Sequence, residues 1–327
     1  FLILFFLEFI VRFFDFASVV GTSKNLVDIN EELNFNNRNV EATTFGKKVF
    51  TDNNGFRIPF FNYNYNNNFP SILILGDSTT FGVGVEEKSS FVGNLRNYKR
   101  NINFYNASVV GHSLRDYEPV INKFKDLRFE KILVFLNIND ITFDSTITTT
   151  SKKKEYRKSS YFAFIEKIKN QRIFGEINIF FRSKSALYMF VKSILSNPQQ
   201  RYFEYIFPYY HYEKNLLDYK SHLIQIKNLS LKLEKEIFFF IFPYEYQTRK
   251  EYCKESESIN LYLLPQREIK KSLEEIKLNY YDFTQKFCDF DKPKKLFLPF
   301  DPTHLSKEGH EFTYNILKEN LQIYKFK

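Results

Sequence analysis

The chain has 327 residues, of which 43% are hydrophobic and 26% charged, a normal globular composition that excludes disorder over most of its length. The formal net charge is +9, but basic residues are spread among nearly as many acids, so we expect no nucleic-acid partner. Cys253 and Cys288 are too few for a disulfide scaffold and wrongly spaced for a zinc knuckle, and the sequence leaves their pairing open.

The first 22 residues form a strongly apolar segment that begins FLILFFLEFIVRFFDF. It carries Glu8, Arg12 and Asp15, so it falls short of the roughly 18 uncharged residues typical of a membrane span. Glu8 and Arg12 are four residues apart and would pair on a helix. Two interpretations remain open, the trailing part of a membrane anchor and an interfacial or core-docking helix.

Residues 23–70 are rich in asparagine and contain few apolar runs. Stretches such as TDNNGFRIPF and FNYNYNNNFP are typical of turns and extended segments. We therefore predict a surface linker here, followed by a catalytic domain over residues 71–327.

Short apolar runs alternate with helical patterns along this domain. The predicted strands are 71–75, 102–110, 131–138, 236–243 and 278–283, and the predicted helices are 89–100, 113–127, 266–277, 306–321 and one that starts near residue 215. Continuous apolar strands separated by helices indicate a sheet buried on both faces. The pattern predicts a doubly wound α/β/α sandwich with a mostly parallel, five-stranded sheet.

Residues 143 to about 214 interrupt this alternation. They include two aromatic helical stretches, YFAFIEKIKN and SALYMFVKSIL. Because a structureless loop of this length is uncommon in a compact domain, we predict a helical insertion that covers part of the sheet's carboxyl edge.

Two motifs bring acid–base chemistry to that edge. In ILILGDSTTFGVGV, Ser78 follows the first strand, where α/β sheets place their ligands. Serine needs a base and a group that orients the base. In FDPTHLSKEGH, Pro302 keeps the segment out of a helix interior, so a turn can fold Asp301 onto His304. Together these residues predict a Ser–His–Asp triad.

Two further strands end with groups able to hold an oxyanion. The second strand runs into NASVVGHS, where Gly111 lets the backbone approach a ligand closely, and the third runs into NINDI, where Asn139 offers a side-chain N–H. With the N–H of Ser78, these are three donors at consecutive strand ends.

Four sequence blocks carry these groups: GDS at Ser78, the glycine at Gly111, ND at Asn139, and DPTH at Asp301 and His304. In this order they resemble the SGNH hydrolases, also called GDSL esterases, over roughly residues 50–325. The resemblance implies that Ser78 is the nucleophile, His304 the base and Asp301 its orienting group. It also implies an oxyanion hole of Ser78, Gly111 and Asn139, and no metal or organic cofactor. The sequence departs from the family pattern at Thr79, where leucine often follows the GDS block, and at Asn137, where glycine is usual.

The N-terminal region resembles one subgroup of that family. It has an apolar segment ending in LExxxR, formed by Leu7, Glu8 and Arg12, and then NGFR at residues 54–57. The resemblance implies a membrane-anchored protein whose catalytic domain lies outside the cytoplasm, in the periplasm or at the cell surface, and it favours the anchor interpretation above.

The sequence therefore predicts a serine ester hydrolase acting through an acyl-enzyme on O-acyl esters of lipids or glycans. Two alternatives remain: a carbohydrate O-acyltransferase with the same triad, and a non-catalytic glycan-binding or assembly protein on the same fold. The oligomeric state is left open.

Overall fold

The computed structural model describes residues 2–14, 16–28, 33–141, 172–195, 202, 206–253, 261–299 and 301–319. The strands of this part are β1 Val27–Asp28, β2 Phe35–Asn36, β3 Glu41–Thr44, β4 Lys47–Thr51, β5 Arg57–Ile58, β6 Ser71–Leu75, β7 Asn103–Asn106, β8 Lys131–Leu136, β9 Glu236–Ile241 and β10 Tyr280–Asp282. The helices are α1 Leu2–Phe13, α2 Ser78–Phe81, α3 Phe91–Tyr98, α4 Leu114–Lys123, α5 Arg172–Lys184, α6 Ala186–Ile194, α7 Phe207–His211, α8 Glu213–Lys232, α9 Lys250–Cys253, α10 Leu264–Ile276, α11 Thr284–Asp289 and α12 Lys307–Glu319.

One sheet of eight strands, in the order β10-β9-β8-β6-β7-β5-β4-β3, organises the domain. The five strands from β10 to β7 are parallel to one another. This confirms the predicted α/β fold with a mostly parallel sheet. Strand β6 is the first of these parallel strands in chain order and lies between β7 and β8. The residues that follow β6 therefore lie between the carboxyl ends of β7 and β8.

The centre of the sheet is buried because helices pack on both of its faces. All residues of β6 and β8 are buried, and alternate side chains of β6 enter opposite cores. Leu73 and Leu75 join the core formed with α4, α8 and α10, whereas Ile72 and Ile74 join the one formed with α3, α11 and α12. Two hydrophobic layers thus hold the central strand, and its carboxyl end, in one position.

The segment predicted as a linker is part of the sheet. Strands β3, β4 and β5 add an antiparallel extension to the parallel core, and the pairing of Arg57 with Asn106 joins the two parts. The prediction of five strands was therefore too low, and the 23–70 linker prediction was wrong for residues 41–58. Strands β3 and β4 are short and half-solvated, and β5 has only two residues; β3, for example, alternates exposed and buried residues. Such a pattern is weak beside the continuous apolar runs of β6 and β8.

The insertion is helical where the structure describes it. The stretch SALYMFVKSIL forms α6, preceded by α5, while the predicted helix YFAFIEKIKN lies outside the described residues. Helix α1 packs on α6 through Val11 and Ala186. The Glu8 carboxylate accepts bonds from Ser185 Oγ and from the N–H groups of Ala186 and Leu187 at 2.7–2.9 Å, so it caps α6.

The Glu8–Arg12 pair expected from the sequence forms at 2.6 Å, between the Arg12 Nε and Glu8 Oε1 atoms. Among the helices that the structure describes, none is both long and apolar enough to cross a bilayer. The sequence did not decide whether the two cysteines pair. In the structure, Cys253 and Cys288 form a disulfide that joins α9 to α11.

Candidate active site

Ser78 occupies the first position of a one-turn helix immediately after β6. The preceding residue, Asp77, is the N-cap of this helix α2, and its carboxylate accepts a bond of 2.8 Å from the Thr79 N–H. The helix ends at Gly82, which has a φ of 85°, a conformation that favours glycine. This tight strand–helix turn presents the half-buried Ser78 hydroxyl at the carboxyl edge of the sheet.

The structure brings His304 and Asp301 to Ser78. His304 Nε2 lies 2.9 Å from Ser78 Oγ, and His304 Nδ1 lies 2.6 Å from Asp301 Oδ2. The predicted turn is present: the other carboxylate oxygen, Asp301 Oδ1, accepts bonds from the backbone N–H groups of Thr303 and His304 and from the Thr303 hydroxyl. With its proton on Nδ1 toward Asp301, the imidazole presents the Nε2 lone pair to the serine.

The charges of this pair reinforce each other. Burial by itself would lower the pKa of His304, but the Asp301 carboxylate and its hydrogen bond outweigh burial and raise that pKa above the ordinary 6.5. Burial would raise the pKa of Asp301, yet the His304 charge and the bonds from His304 and Thr303 bring it well below its usual range. Asp301 is therefore ionised at neutral pH, and the imidazolium is the stabilised form of His304.

The proposed oxyanion donors lie at the same edge. Ser78, Gly111 and Asn139 follow β6, β7 and β8, which are adjacent in the sheet. Gly111 has a φ of 92°, and nothing lies within 4 Å of the position that a Cβ would take. Its backbone is therefore open to a ligand. The N–H of Ser78, in the first turn of α2, has no acceptor within its own helix.

The departure at Asn137 has a structural explanation. Its side chain is buried and donates a bond of 2.6 Å to Asp77 Oδ1, so it braces the N-cap of α2. Burial raises the pKa of Asp77, and the bonds from Thr79 and Asn137 partly offset that rise. At the other departure, Thr79 is buried and its hydroxyl donates to the Thr303 carbonyl at 3.4 Å, which links the two halves of the site.

Asp140 supports the turn that carries Asn139. Its carboxylate accepts bonds from the Asn137 N–H and from the Tyr117 hydroxyl, at 3.0 and 3.1 Å. Burial and the nearby Asp77 raise the pKa of Asp140 well above its usual range. The sequence showed Asp140 beside Asn139, but only the packing of α4 reveals Tyr117 as its partner.

Sequence reasoning also missed Phe45, at the tip of the β3–β4 hairpin. Its ring meets the His304 imidazole edge-to-face, with 5.1 Å between ring centroids. The hairpin tip is itself held by a bond of 2.8 Å from the Phe45 N–H to the Gly21 carbonyl. No motif in residues 23–70 pointed to this contact.

A groove of about 980 Å³ passes the triad on the Asp301 side. Its walls include Lys47 of the hairpin, Ser193 of α6, residues 84–86, and residues 297–299. The antiparallel extension and the insertion thus both border the site.

No protein-family model matches the sequence, and no curated protein does. Similar solved structures include a lipolytic protein of the G-D-S-L family from Veillonella parvula, with 14% identity and a TM-score of 0.40 over 76% of this chain and 96% of that one. An acetyl xylan esterase, AlAXEase, has 10% identity and a TM-score of 0.46 over 77% and 99%. A catalytic mutant of an acetylxylan esterase from Geobacillus stearothermophilus has 15% identity and a TM-score of 0.42 over 79% and 95%.

Fold and site together define an α/β protein with a Ser–His–Asp arrangement beside open backbone donors. Within the described ranges, no cluster of His, Cys, Asp or Glu could hold a metal ion. The arrangement can move a proton from the Ser78 hydroxyl to His304 while Asp301 holds the imidazole in one orientation.

Replacing Asn137 tests its role as a brace. We expect Asn137→Ala to lower the free energy of unfolding by about 1–3 kcal/mol, because it removes a partner from the buried Asp77 carboxyl. Urea denaturation measures this loss. Asn97→Ala, at an exposed position of α3, is the control and should change stability by less than about 0.5 kcal/mol. Equal stabilities of the two variants would contradict the assignment.

Proposed function

We propose that the protein is an ester hydrolase of the SGNH type that acts through an acyl-enzyme on Ser78. The observation that carries this proposal is the continuous chain of contacts from Ser78 Oγ to His304 Nε2, and from His304 Nδ1 to Asp301. It is supported by the order of the four sequence blocks, which matches that family.

In the proposed reaction, Ser78 Oγ attacks the carbonyl carbon of the ester while His304 Nε2 takes the hydroxyl proton. The oxyanion forms next to the Ser78 and Gly111 N–H groups and the Asn139 side chain. Its collapse breaks the bond to the alcohol, which leaves with the proton from His304. Water then attacks the acyl-serine, again with His304 as base, and releases the acid and the free serine.

The substrates we propose are O-acyl esters of lipids or glycans. The groove of about 980 Å³ beside the triad supports a substrate larger than a simple ester, since both the hairpin and α6 line it. Transfer of the acyl group to a sugar hydroxyl would use the same residues, so product analysis has to distinguish hydrolysis from transfer.

Labelling by a fluorophosphonate probe tests the nucleophile. We expect wild-type protein to be labelled on Ser78 and Ser78→Ala to remain unlabelled, with ester turnover lowered about 10⁴-fold or more. Ser108→Ala, at a buried serine that follows β7, controls for the loss of a hydroxyl and should label like the wild type. Equal labelling of wild type and Ser78→Ala, or of neither, would refute the proposal.

The pH dependence tests the base. Because His304 must be neutral to accept a proton and its pKa is raised, kcat/KM should fall on acidification with a midpoint above pH 6.5. Asp301→Asn removes the charge that raises this pKa, so the midpoint should move to lower pH while the maximal rate falls about 10⁴-fold. Asp126→Asn, at an exposed carboxylate, should change neither quantity. A midpoint that stays in place in Asp301→Asn would contradict the assigned pair.

We further propose an extracytoplasmic location with attachment to a lipid bilayer. The disulfide between Cys253 and Cys288 supports an oxidising compartment. Helices α1, α5 and α6 support the attachment, because most of the exposed large apolar side chains in the described part of the chain lie on them or just after α1 and α6. These side chains are Leu2, Ile3, Leu4, Phe5, Phe6, Leu7, Phe9, Phe13, Phe14, Phe16, Ile177, Ile179, Phe180, Phe181, Val191, Ile194 and Leu195.

Vesicle flotation tests the attachment. The full chain should float with vesicles that contain an anionic phospholipid, and Phe180→Glu combined with Ile194→Glu should reduce the bound fraction at least about tenfold. Leu217→Glu with Leu231→Glu, at exposed leucines of α8, adds the same charge elsewhere and should leave flotation unchanged. If the wild type does not float, the proposed attachment is rejected. If the variant with Phe180→Glu and Ile194→Glu still floats, the attachment surface is restricted to α1.

A further inference from the structure

Arg57, the last residue of the NGFR stretch, contacts the end of the short helix that begins at Ser78. Its side chain is fully buried. Its Nη1 donates to the carbonyl oxygens of Phe81 and Gly82, and its Nη2 donates to the Val85 carbonyl at 2.6 Å. The guanidinium also lies over the Phe81 ring, 4.9 Å from its centroid. All of these contacts are to the last residue of α2 and to the residues that follow it.

A buried guanidinium is costly unless its surroundings compensate the charge. In the described part of the chain, no carboxylate lies within ion-pair distance of Arg57, and Nε has no hydrogen-bond partner. Burial and the nearby Arg96 lower the pKa of Arg57 to about 9. Its compensation comes from carbonyl oxygens at the C-terminal end of α2, where the helix leaves acceptors unpaired and a cation is favoured.

Helix α2 is too short to hold itself in place. It has four residues, and an isolated turn of that length is unstable. Asp77 fixes its beginning. Its end is fixed by Arg57, and the side chain of Asn106, which pairs with Arg57 in the sheet, donates to the Thr80 carbonyl at 3.4 Å. The fit around Gly82 is close: its φ is 85°, and a Cβ there would lie 2.6 Å from Arg57 Nη1.

We propose that Arg57 is a positioning residue for Ser78. By bonding the carbonyls of residues 81, 82 and 85, it holds α2 in the orientation that keeps Ser78 Oγ within 2.9 Å of His304 Nε2. The antiparallel extension therefore contributes to the reactivity of the serine, through the strand that joins it to the parallel sheet. This inference rests on the proposed ester hydrolase function.

Kinetics of Arg57→Lys on a soluble aryl ester test the proposal. Lysine keeps the charge but cannot reach three carbonyls at once, so Ser78 should lose its fixed distance to His304. We expect kcat to fall roughly 10- to 100-fold while KM changes less than about threefold, since a small misplacement of a reacting group costs that much in rate. The rate constant of fluorophosphonate labelling should fall in parallel.

Arg96→Lys is the matched control. Arg96 is also buried and bonds a backbone carbonyl, that of Phe104. It pairs with Glu87, and none of its hydrogen bonds in the described part of the chain reaches α2. Both variants should lower the melting temperature, and only Arg57→Lys should lower kcat in protein that circular dichroism shows to be folded. Equal kcat values in the two folded variants would overturn the proposal.

Hydrogen exchange of the wild type provides a test that does not depend on a variant folding. Residues 78–85 should exchange as slowly as β6 and β8, because the Arg57 bonds tie them to the core. Exchange of this segment within seconds, like a surface loop, would overturn the proposal. If the wild type exchanges slowly in residues 78–85 but hydrolyses no ester, the hydrolase function is rejected. The placement of α2 by Arg57 would still stand.

Discussion

The hydrogen bond between Ser78 and His304 joins residues 226 positions apart in the chain, and the rest of the structure serves to keep them together. Ser78 is held by the central strand of the sheet, which two hydrophobic cores clamp from opposite faces. His304 is held by a turn built around Asp301. Proton transfer between the two side chains requires both supports to be rigid.

Buried polar groups behind the site supply that rigidity. Asp77, Asn137, Asp140 and Tyr117 form a connected set of hydrogen bonds beneath the strand ends. Burial opposes ionisation of both aspartates, as the raised pKa of each shows. A chain selected for stability alone would place apolar residues there. Polar groups at these positions instead specify one geometry of the loops that carry Ser78 and Asn139.

The part of the chain before β6 forms part of the site's surroundings. The β3–β4 hairpin brings Phe45 to His304, and its tip is bonded to Gly21. Val20, which precedes Gly21 in the chain, donates its N–H to the Arg182 carbonyl of α5 at 2.7 Å. A continuous path of contacts therefore connects the apolar helices α1, α5 and α6 with the imidazole. Attachment to a surface at these helices would orient the groove relative to that surface.

The sequence alone determined the parallel sheet and the Ser78, Asp301 and His304 grouping. Buried strands such as SILIL and KILVFL need uninterrupted apolar runs, and a proton relay needs specific side chains, so both leave local patterns. Tertiary structure alone decided the places of β3–β5, Phe45, Arg57 and Asn137. Strands β3 and β4 are short and half-solvated, and β5 has only two residues. The three side chains act through partners distant in the sequence. Their roles depend on which backbone groups packing brings beside them, and no local spacing encodes that.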